Sequence, residues 1–527
     1  MDAAIKNLFS EVFELKKNNL QLRQCLADKE KIIAQKQQQI EQLLEQFRLQ
    51  RHRQFGASSE QAPGQGHLFN EVEILAVEAV DDCVAGDSDK IITEEKAKRP
   101  ARGRRQPLPA ELPRIEIIHD IAESEKVCAC GCQRHAMGEA VSEQLDIIPA
   151  QVRVIRHIRK KYACAQCESA PVTAELPPQP IPRSNASPGL LAHIAIAKYQ
   201  DALPLHRQEN ILQRAGIDLS RQTLARWMIQ SAQLLQPLHN LLRDQLLAGP
   251  VIHCDETVVQ VLKELDKSPS SQSYMWVQSG GPPHQAVTLF DYRSSRSGSV
   301  PLELLQDYRG YLMTDGYEGY NAIAQQEGIE HLCCWAHVRR KFVEAQRAQP
   351  KSKNTKGSTI SKADMAINYI GKLYGIEQRC HDGSVAMRYQ IRQQESVPLL
   401  NQLRTWLDKT LTTVLPSGKL GEALQYLHKY WNKLIRYTQR GDLPIDNNRA
   451  ENAIRPFVIG RKNWIFSDTP QGAHASAIIY SVIETAKANE LEPYGYLRRL
   501  FTALPSANTI EAIEQLLPWN ITHVELQ

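Results

Sequence analysis

The chain has 527 residues, 42% hydrophobic and 23% charged, enough for about three or four domains of ordinary size in a globular protein. A formal net charge of +4 is too small to identify a polyanionic partner, but it conceals basic clusters at 98–105, 156–161 and 337–341 and an acidic stretch at 71–96. The start has no signal-peptide core, the longest apolar run (190–197) is far short of a membrane span, and 11 cysteines without regular spacing do not read as a disulfide framework. A cytoplasmic, nucleoid-associated location with no membrane partner is therefore expected.

Residues 1–50 carry a heptad pattern. Ile5, Val12, Asn19, Leu26, Ile33, Ile40 and Phe47 fall in one register, and Leu8, Leu15, Leu22 and Leu43 in the other. Such a seam predicts a coiled coil, with Asn19 setting register at some cost in stability; Lys29 and Lys36 interrupt the second register, so a long solvated helix is the alternative. From 51 to 112 the chain is rich in Gly, Ala, Pro and unmatched charge, the composition of a linker.

Residues 113–180 hold CACGC and CAQC with the alternating run QVRVIRHIRKKYAC between them, which predicts a strand in a small β-rich module. Cys128 and Cys130 with Cys164 and Cys167 could close a tetrahedral thiolate site for zinc, because two short turns each present two sulfurs. Cys128 and Cys130 are closer than a usual knuckle, Cys132 offers another choice, and a reduced, metal-free pair of turns is also open. In 181–245, LHRQENILQRAG ends in a glycine suited to stopping a helix, and Ser220 could cap a second helix, RQTLARWMIQSAQLL. Two helices joined by a tight turn suggest a helix-turn-helix, with Arg221, Gln222 and Arg226 placed to meet DNA; a plain packing pair would look the same.

After 246 the pattern changes to three strand-like runs at 251–262, 273–280 and 286–293, then a helix-like PLELLQDY, then GYLMTDGYEGYN. This order opens a ribonuclease-H-like mixed sheet, in which the first and fourth strands are neighbours and Asp255 and Asp315 stand together. HLCCWAHVRRKFVEA supplies the fifth strand and its helix, with His337, Arg339 and Arg340 close by to bind phosphate or tune a metal-bound water, and Cys333 and Cys334 buried.

A helical insertion is expected over 351–444 before IDNNRAENAIRPF. If Asp446 caps a helix that runs until Pro456, Asn448, Glu451, Asn452 and Arg455 share one face, where Asn448, Asn452 and Arg455 could orient Glu451 or touch a DNA phosphate, with Arg461 and Lys462 adding DNA contacts beyond. Three converging carboxylates repel one another without a cation, so Asp255, Asp315 and Glu451 suit hard divalent ions and two-metal phosphodiester chemistry. The catalytic part resumes over 445–500, where GAHASAIIYSVIETAKANELEPYGYLRRL is expected to pack on the sheet, and 501–527 forms a helical tail. The fold class expected is thus multidomain α/β.

HCDET, YLMTDGYEGYN, CWAHVRRKF and DNNRAENAIRPFVIGRKNWIF, in this order, resemble the transposases of the bacterial insertion-sequence family numbered sixty-six, as do FGASSEQ at 55–61 and SEQLDIIPAQVRVIRHIRKKYAC at 142–164. The compressed CACGC departs from the family's cysteine spacing. The resemblance implies a DDE triad of Asp255, Asp315 and Glu451. It also implies two magnesium ions with manganese as substitute, DNA partners (terminal inverted repeats and target), cleavage of the element ends and joining of the 3′-hydroxyl to target DNA. A homo-oligomer and small accessory proteins of the same element are implied as partners. A DNA-binding regulator without chemistry and a nuclease without strand transfer are the alternative functions.

Overall fold

The computed structural model describes residues 152–162, 172–173, 175–282, 284–349 and 360–522, together with most of 16–48. The expected linker, and Cys128, Cys130, Cys132, Cys164 and Cys167 with it, lie outside the described residues. The chain forms two compact units, one of Gly86–Glu175 and one of Met1–Ala85 with Leu176–Gln527.

In the smaller unit, β1 (Lys161–Tyr162) pairs antiparallel with β2 (Val172–Thr173). The strand expected over QVRVIRHIRKKY is therefore confined to its last two residues. Positions 152–160 are exposed and outside any ladder, because alternation makes a strand only where a partner offers hydrogen bonds.

In the larger unit the described residues of 16–48 are helical, and Leu26, Ile33, Ile40, Leu43 and Phe47 of the heptad are exposed. Three helices follow the smaller unit: α1 (Pro188–Tyr199), α2 (Leu205–Arg214) and α3 (Arg221–Leu247). The expected signals act as predicted at the turn. Gly216 takes φ +79° just past the end of α2, and the Ser220 hydroxyl accepts the Thr223 N–H at 3.3 Å to cap α3.

α3 overruns its expected end by continuing through Pro237. Leu235, Leu238, Leu242 and Leu246 are fully buried at helical spacing, and each such burial is worth about 1.5–3 kcal/mol, together more than the roughly 3 kcal/mol cost of an internal proline. The same buried cluster runs from the helices of 181–245 through the sheet to Leu517 and Ile521.

The sheet is built from β3 (Val251–Val261), β4 (Gln272–Gly280), β5 (Val287–Arg293), β6 (Gly310–Thr314) and β7 (Ile329–Cys333), in spatial order β5-β4-β3-β6-β7. β3 to β5 form an antiparallel meander, and β6 and β7 add in parallel beyond β3. A short helix, α4 (Ser299–Leu304), connects β5 to β6, and α5 (Trp335–Ala348) follows β7, so every element expected between 251 and 345 is present.

The insertion contains α6 (Lys362–Arg379), α7 (Val385–Ile391), α8 (Val397–Leu411) and α9 (Lys419–Leu434), of which α6, α8 and α9 share a second buried cluster with α5. The chain then returns as α10 (Asn448–Trp464), β8 (Phe466–Ser467), which pairs with the far end of β3, α11 (Pro470–Ala488), α12 (Pro493–Ala503) and α13 (Ile510–Glu514). α10 also overruns a proline, Pro456, because Ile454, Phe457 and Gly460 are buried on either side of it.

β5 is an edge strand, and α11 covers that edge with side chains. Thr485 both accepts the Thr288 N–H (3.0 Å) and donates to the Thr288 carbonyl (2.9 Å). Ser481 accepts the Phe290 N–H at 2.7 Å, and Asn489 donates to the Ala286 carbonyl at 2.7 Å. Residues four apart on the helix thus read residues two apart on the strand, since both spacings come to about 6 to 7 Å.

Candidate active site

β3 and β6 lie in parallel with Val251, Ile252 and His253 opposite Tyr311, Leu312 and Met313. Asp255 and Asp315 each lie two residues past the last paired row, so they stand at the same level of the sheet. The Asp255 carboxyl is raised well above the usual carboxylate range, first by burial and then by the negative charges of Glu256, Asp315 and Glu451. Of the three acids expected to converge, Asp255 therefore feels the charge of both Asp315 and Glu451.

Glu451 arrives on the first turn of α10, and its position depends on the loop before it. Asp446 does not cap the helix directly: its Oδ1 accepts the Asn448 N–H (3.1 Å), its Oδ2 accepts the Asn448 Nδ2 (2.9 Å), and Tyr374 donates to the same Oδ2 at 2.9 Å. Asn447, the residue before the helix, donates to the Cys254 carbonyl at 2.9 Å and accepts from His253 Nδ1 at 3.1 Å. This bolts the helix start onto the strand residue adjoining Asp255.

His253 carries a test of that bolt. Its pKa is lowered to about 3, first by burial and then by the Arg449 charge, whereas an unfolded histidine titrates near 6.5. Below 6.5 the unfolded chain binds the extra proton, so the contribution of His253 to stability is whole above that pH and declines as pH falls toward 3. His253→Gln is expected to flatten the acid loss of thermal stability between pH 6.5 and 4.5 by about 1.4 kcal/mol per pH unit. An unchanged slope in melts of the variant would contradict a neutral His253 in the fold.

The Glu451 side chain is 5% exposed, with Oε2 3.3 Å from Arg340 Nη2 and Oε1 3.5 Å from His337 Nδ1. Among the described residues, ligand-type atoms of Cys334, His337 and Glu451 lie within 4.8 Å of one another. Their protonation argues against a thiolate–imidazole cage. Arg340 Nη1 sits 3.3 Å from His337 Nε2, and a guanidinium only donates, so the neutral ring carries its proton on Nδ1, facing Glu451. Burial lowers the His337 pKa and pushes the Cys334 thiol well up, and Cys334 Sγ accepts the Asn447 N–H at 3.2 Å.

A hard cation fits the oxygen atoms here better than the sulfur. Glu451 Oε1 and Asn448 Oδ1 are buried without a hydrogen bond, and the mutual repulsion at Asp255 is what a divalent ion relieves.

The other predicted positions divide. Arg221, Gln222 and Arg226 are exposed on the first turns of α3, and Lys462 is exposed near the end of α10. Arg455 is half-buried, and Arg461 is turned onto β3, donating to Thr257 Oγ1 at 3.0 Å and to the Val258 carbonyl. Sequence reasoning missed Glu256. Its Oε1 receives Arg296 Nε at 2.8 Å, its Oε2 receives the Tyr320 hydroxyl at 2.6 Å, and Arg296 lies 3.7 Å over the Tyr317 ring. Glu256 thereby secures the segment after Asp315, a role for which the adjacent DE pair was the available signal.

This arrangement of acids, carried on two neighbouring strands and a later helix, coincides with a match of residues 183–475 to the Transposase IS66 family. The chain belongs to that family. In addition, 125–168 match the zinc-finger binding domain of transposase IS66, 481–519 the IS66 C-terminal element and 42–117 the Transposase C of IS166 homeodomain. Three uncharacterized proteins of Sinorhizobium fredii (strain NBRC 101917 / NGR234) are similar over most of their length. y4jD is 31% identical over 78% of this chain and 81% of its own, y4hP 29% over 85% and 83%, and y4qI 30% over 86% and 82%. No described helix of this IS66-family chain is long and apolar enough to cross a membrane.

Proposed function

We propose that the chain is a DNA transposase of the DDE type, cleaving the phosphodiester at element ends and joining the freed 3′-hydroxyl to target DNA. The observation that carries this reading is the placement of Asp255 and Asp315 at one level of two neighbouring parallel strands, with the Glu451 charge also reaching Asp255. The strand order β5-β4-β3-β6-β7 supports a ribonuclease-H-like sheet as their support. These three acids would hold two divalent ions, magnesium with manganese as substitute, which when bound activate the attacking oxygen and stabilise the leaving one. Arg340, whose side chain is 53% exposed beside Glu451, is set to meet a scissile phosphate, and His337 presents its Nδ1 proton to Glu451.

Arg221, Gln222 and Arg226 on the helix-turn-helix would contact the terminal repeats, with Lys462 near the catalytic helix adding a phosphate contact. Zinc would sit on Cys128, Cys130, Cys164 and Cys167, within the matched zinc-finger segment. The exposed heptad face from Leu26 to Phe47 favours pairing with a second copy. Domain limits of 1–50, 51–112, 113–180, 181–245, 246–350, 351–444, 445–500 and 501–527 follow from this reading.

The test is cleavage and strand transfer on a labelled fragment carrying the element's own ends, with Mg²⁺. Glu451→Gln is expected to lose both products while still shifting the fragment in a gel. End binding by the wild type with no metal-dependent cleavage, even with the element's accessory proteins added, would favour a DNA-binding regulator instead.

A further inference from the structure

Asp315 sits on a tight loop held by local hydrogen bonds. The Gly316 N–H donates to Thr314 Oγ1 at 3.2 Å, and the Tyr317 N–H donates to Asp315 Oδ1 at 2.8 Å. The two remaining carbonyls are taken by the helical insertion. On α9, the Tyr426 hydroxyl donates to the Asp315 carbonyl, and the Tyr430 hydroxyl, one turn later, donates to the Gly316 carbonyl at 2.7 Å. Two phenols at i and i+4 share one helix face and so read two successive peptide oxygens.

The same face makes further contacts with this region. Lys433 Nζ lies 2.9 Å from His331 Nδ1, and His331 Nε2 lies 2.8 Å from Thr314 Oγ1, the acceptor of the Gly316 N–H. Gly316 itself has φ +88°, and a Cβ there would stand 2.9 Å from Tyr426 Oη and 3.3 Å from Tyr430 Cζ. The loop has been shaped against these two rings. Burial raises both phenols, so they remain donors throughout the working pH range.

We propose that Tyr426 and Tyr430 are positioning residues for Asp315: the insertion fixes the peptide planes that aim the Asp315 carboxylate, and so sets the affinity of the acidic site for a divalent ion. The inference rests on Asp315 being a metal ligand, as proposed above. A metal ligand must be held to about half an ångström, and removing an outer partner of such a ligand typically costs about 10- to 100-fold in metal affinity. The insertion is on this view a strut of the metal site.

The experiment titrates the full-length chain with Mn²⁺ alone, following free Mn²⁺ by electron paramagnetic resonance, for wild type, Tyr430→Phe, Tyr426→Phe with Tyr430→Phe, and Asp315→Asn. Phenylalanine keeps each ring and removes only the donor. The double variant is expected to bind Mn²⁺ about 10- to 100-fold more weakly, with Tyr430→Phe intermediate. Both should still melt cooperatively and bind end DNA like the wild type. A purely structural role would lower the melting temperature and leave Mn²⁺ affinity unmoved. Wild-type affinity in both phenylalanine variants alongside lost binding in Asp315→Asn would overturn this inference alone. Undiminished binding in Asp315→Asn would overturn the acidic triad itself.

Discussion

Asp255→Asn is expected to raise the melting temperature of the metal-free protein and to abolish both its response to divalent ions and its chemistry. Folding takes a carboxyl that ionises near 3.9 in the open chain and places it among Glu256, Asp315 and Glu451, where its pKa is raised by burial and then by those charges. The folded state then holds that proton more tightly than the unfolded one. Stability is greatest with the proton on and is drawn down as pH rises and the acid ionises. An amide of the same shape removes the repulsion, so a gain of a few degrees is expected without metal. It also removes one of the proposed metal ligands, and metal stabilisation of a transition state is worth several kcal/mol, so on that proposal cleavage should fall by about 10³-fold or more. Thermal melts with and without Mn²⁺, beside the cleavage assay, would check both signs. A variant that is less stable without metal, or that keeps a wild-type Mn²⁺ shift, would show that Asp255 does not carry this strain.

The second large effect lies in the insertion. Arg392 is fully buried, and all five of its N–H donors are used: two on the Glu377 carboxylate, at 2.9 and 2.5 Å, and three on the carbonyls of Tyr437 (2.8 Å), Arg440 and Leu443 (2.9 Å). Those carbonyls belong to the segment that returns the chain to Asp446 and α10. Arg392→Met should therefore cost about 3–5 kcal/mol, since it leaves three carbonyls without this donor and the Glu377 carboxylate with only the more distant Arg388, at 3.7 Å. Lysine would not rescue it, because one ammonium cannot reproduce the fork. Hydrogen exchange at 435–447 should rise with the loss of melting temperature. Arg392→Met combined with Glu377→Leu should recover part of the stability, as it deletes a carboxylate left with only a distant partner. A single variant that melts like the wild type would show the network to be dispensable.

The sheet and its acids were legible in sequence because they follow local rules. The runs at 251–262, 273–280 and 286–293 alternate or stay apolar over strand lengths and are separated by turn residues, and Ser220 and Gly216 sit where caps belong. Asp255 and Asp315 could be singled out since their common level follows from strand order, and Glu451 since it is the one carboxylate on the shared face of its helix. The readings that failed were local rules overridden at a distance. The helix after Ser220 was expected to run only to Leu235 and the one after Asp446 to Pro456, but buried leucines and Phe457 keep them going, and alternation at 152–160 was expected to make a strand without a partner to pair with. The supports of the site, Asn447 on Cys254 and Tyr426 on Asp315, join residues more than a hundred positions apart, and no periodicity records such a meeting.

The covering of β5 by Ser481, Thr485 and Asn489 bears on how the chain is made. The helix that shields this edge lies about 190 to 200 residues downstream of the strand. At a synthesis rate of roughly 5–20 residues per second, the bare edge emerges some 10–40 seconds before its cover exists. During that interval the nascent meander offers unpaired backbone to any other extended segment, including the same strand on a neighbouring ribosome of the same message. Completion of α11 ends the exposure, so a chain truncated within the insertion should be far more prone to aggregate than its length alone would suggest.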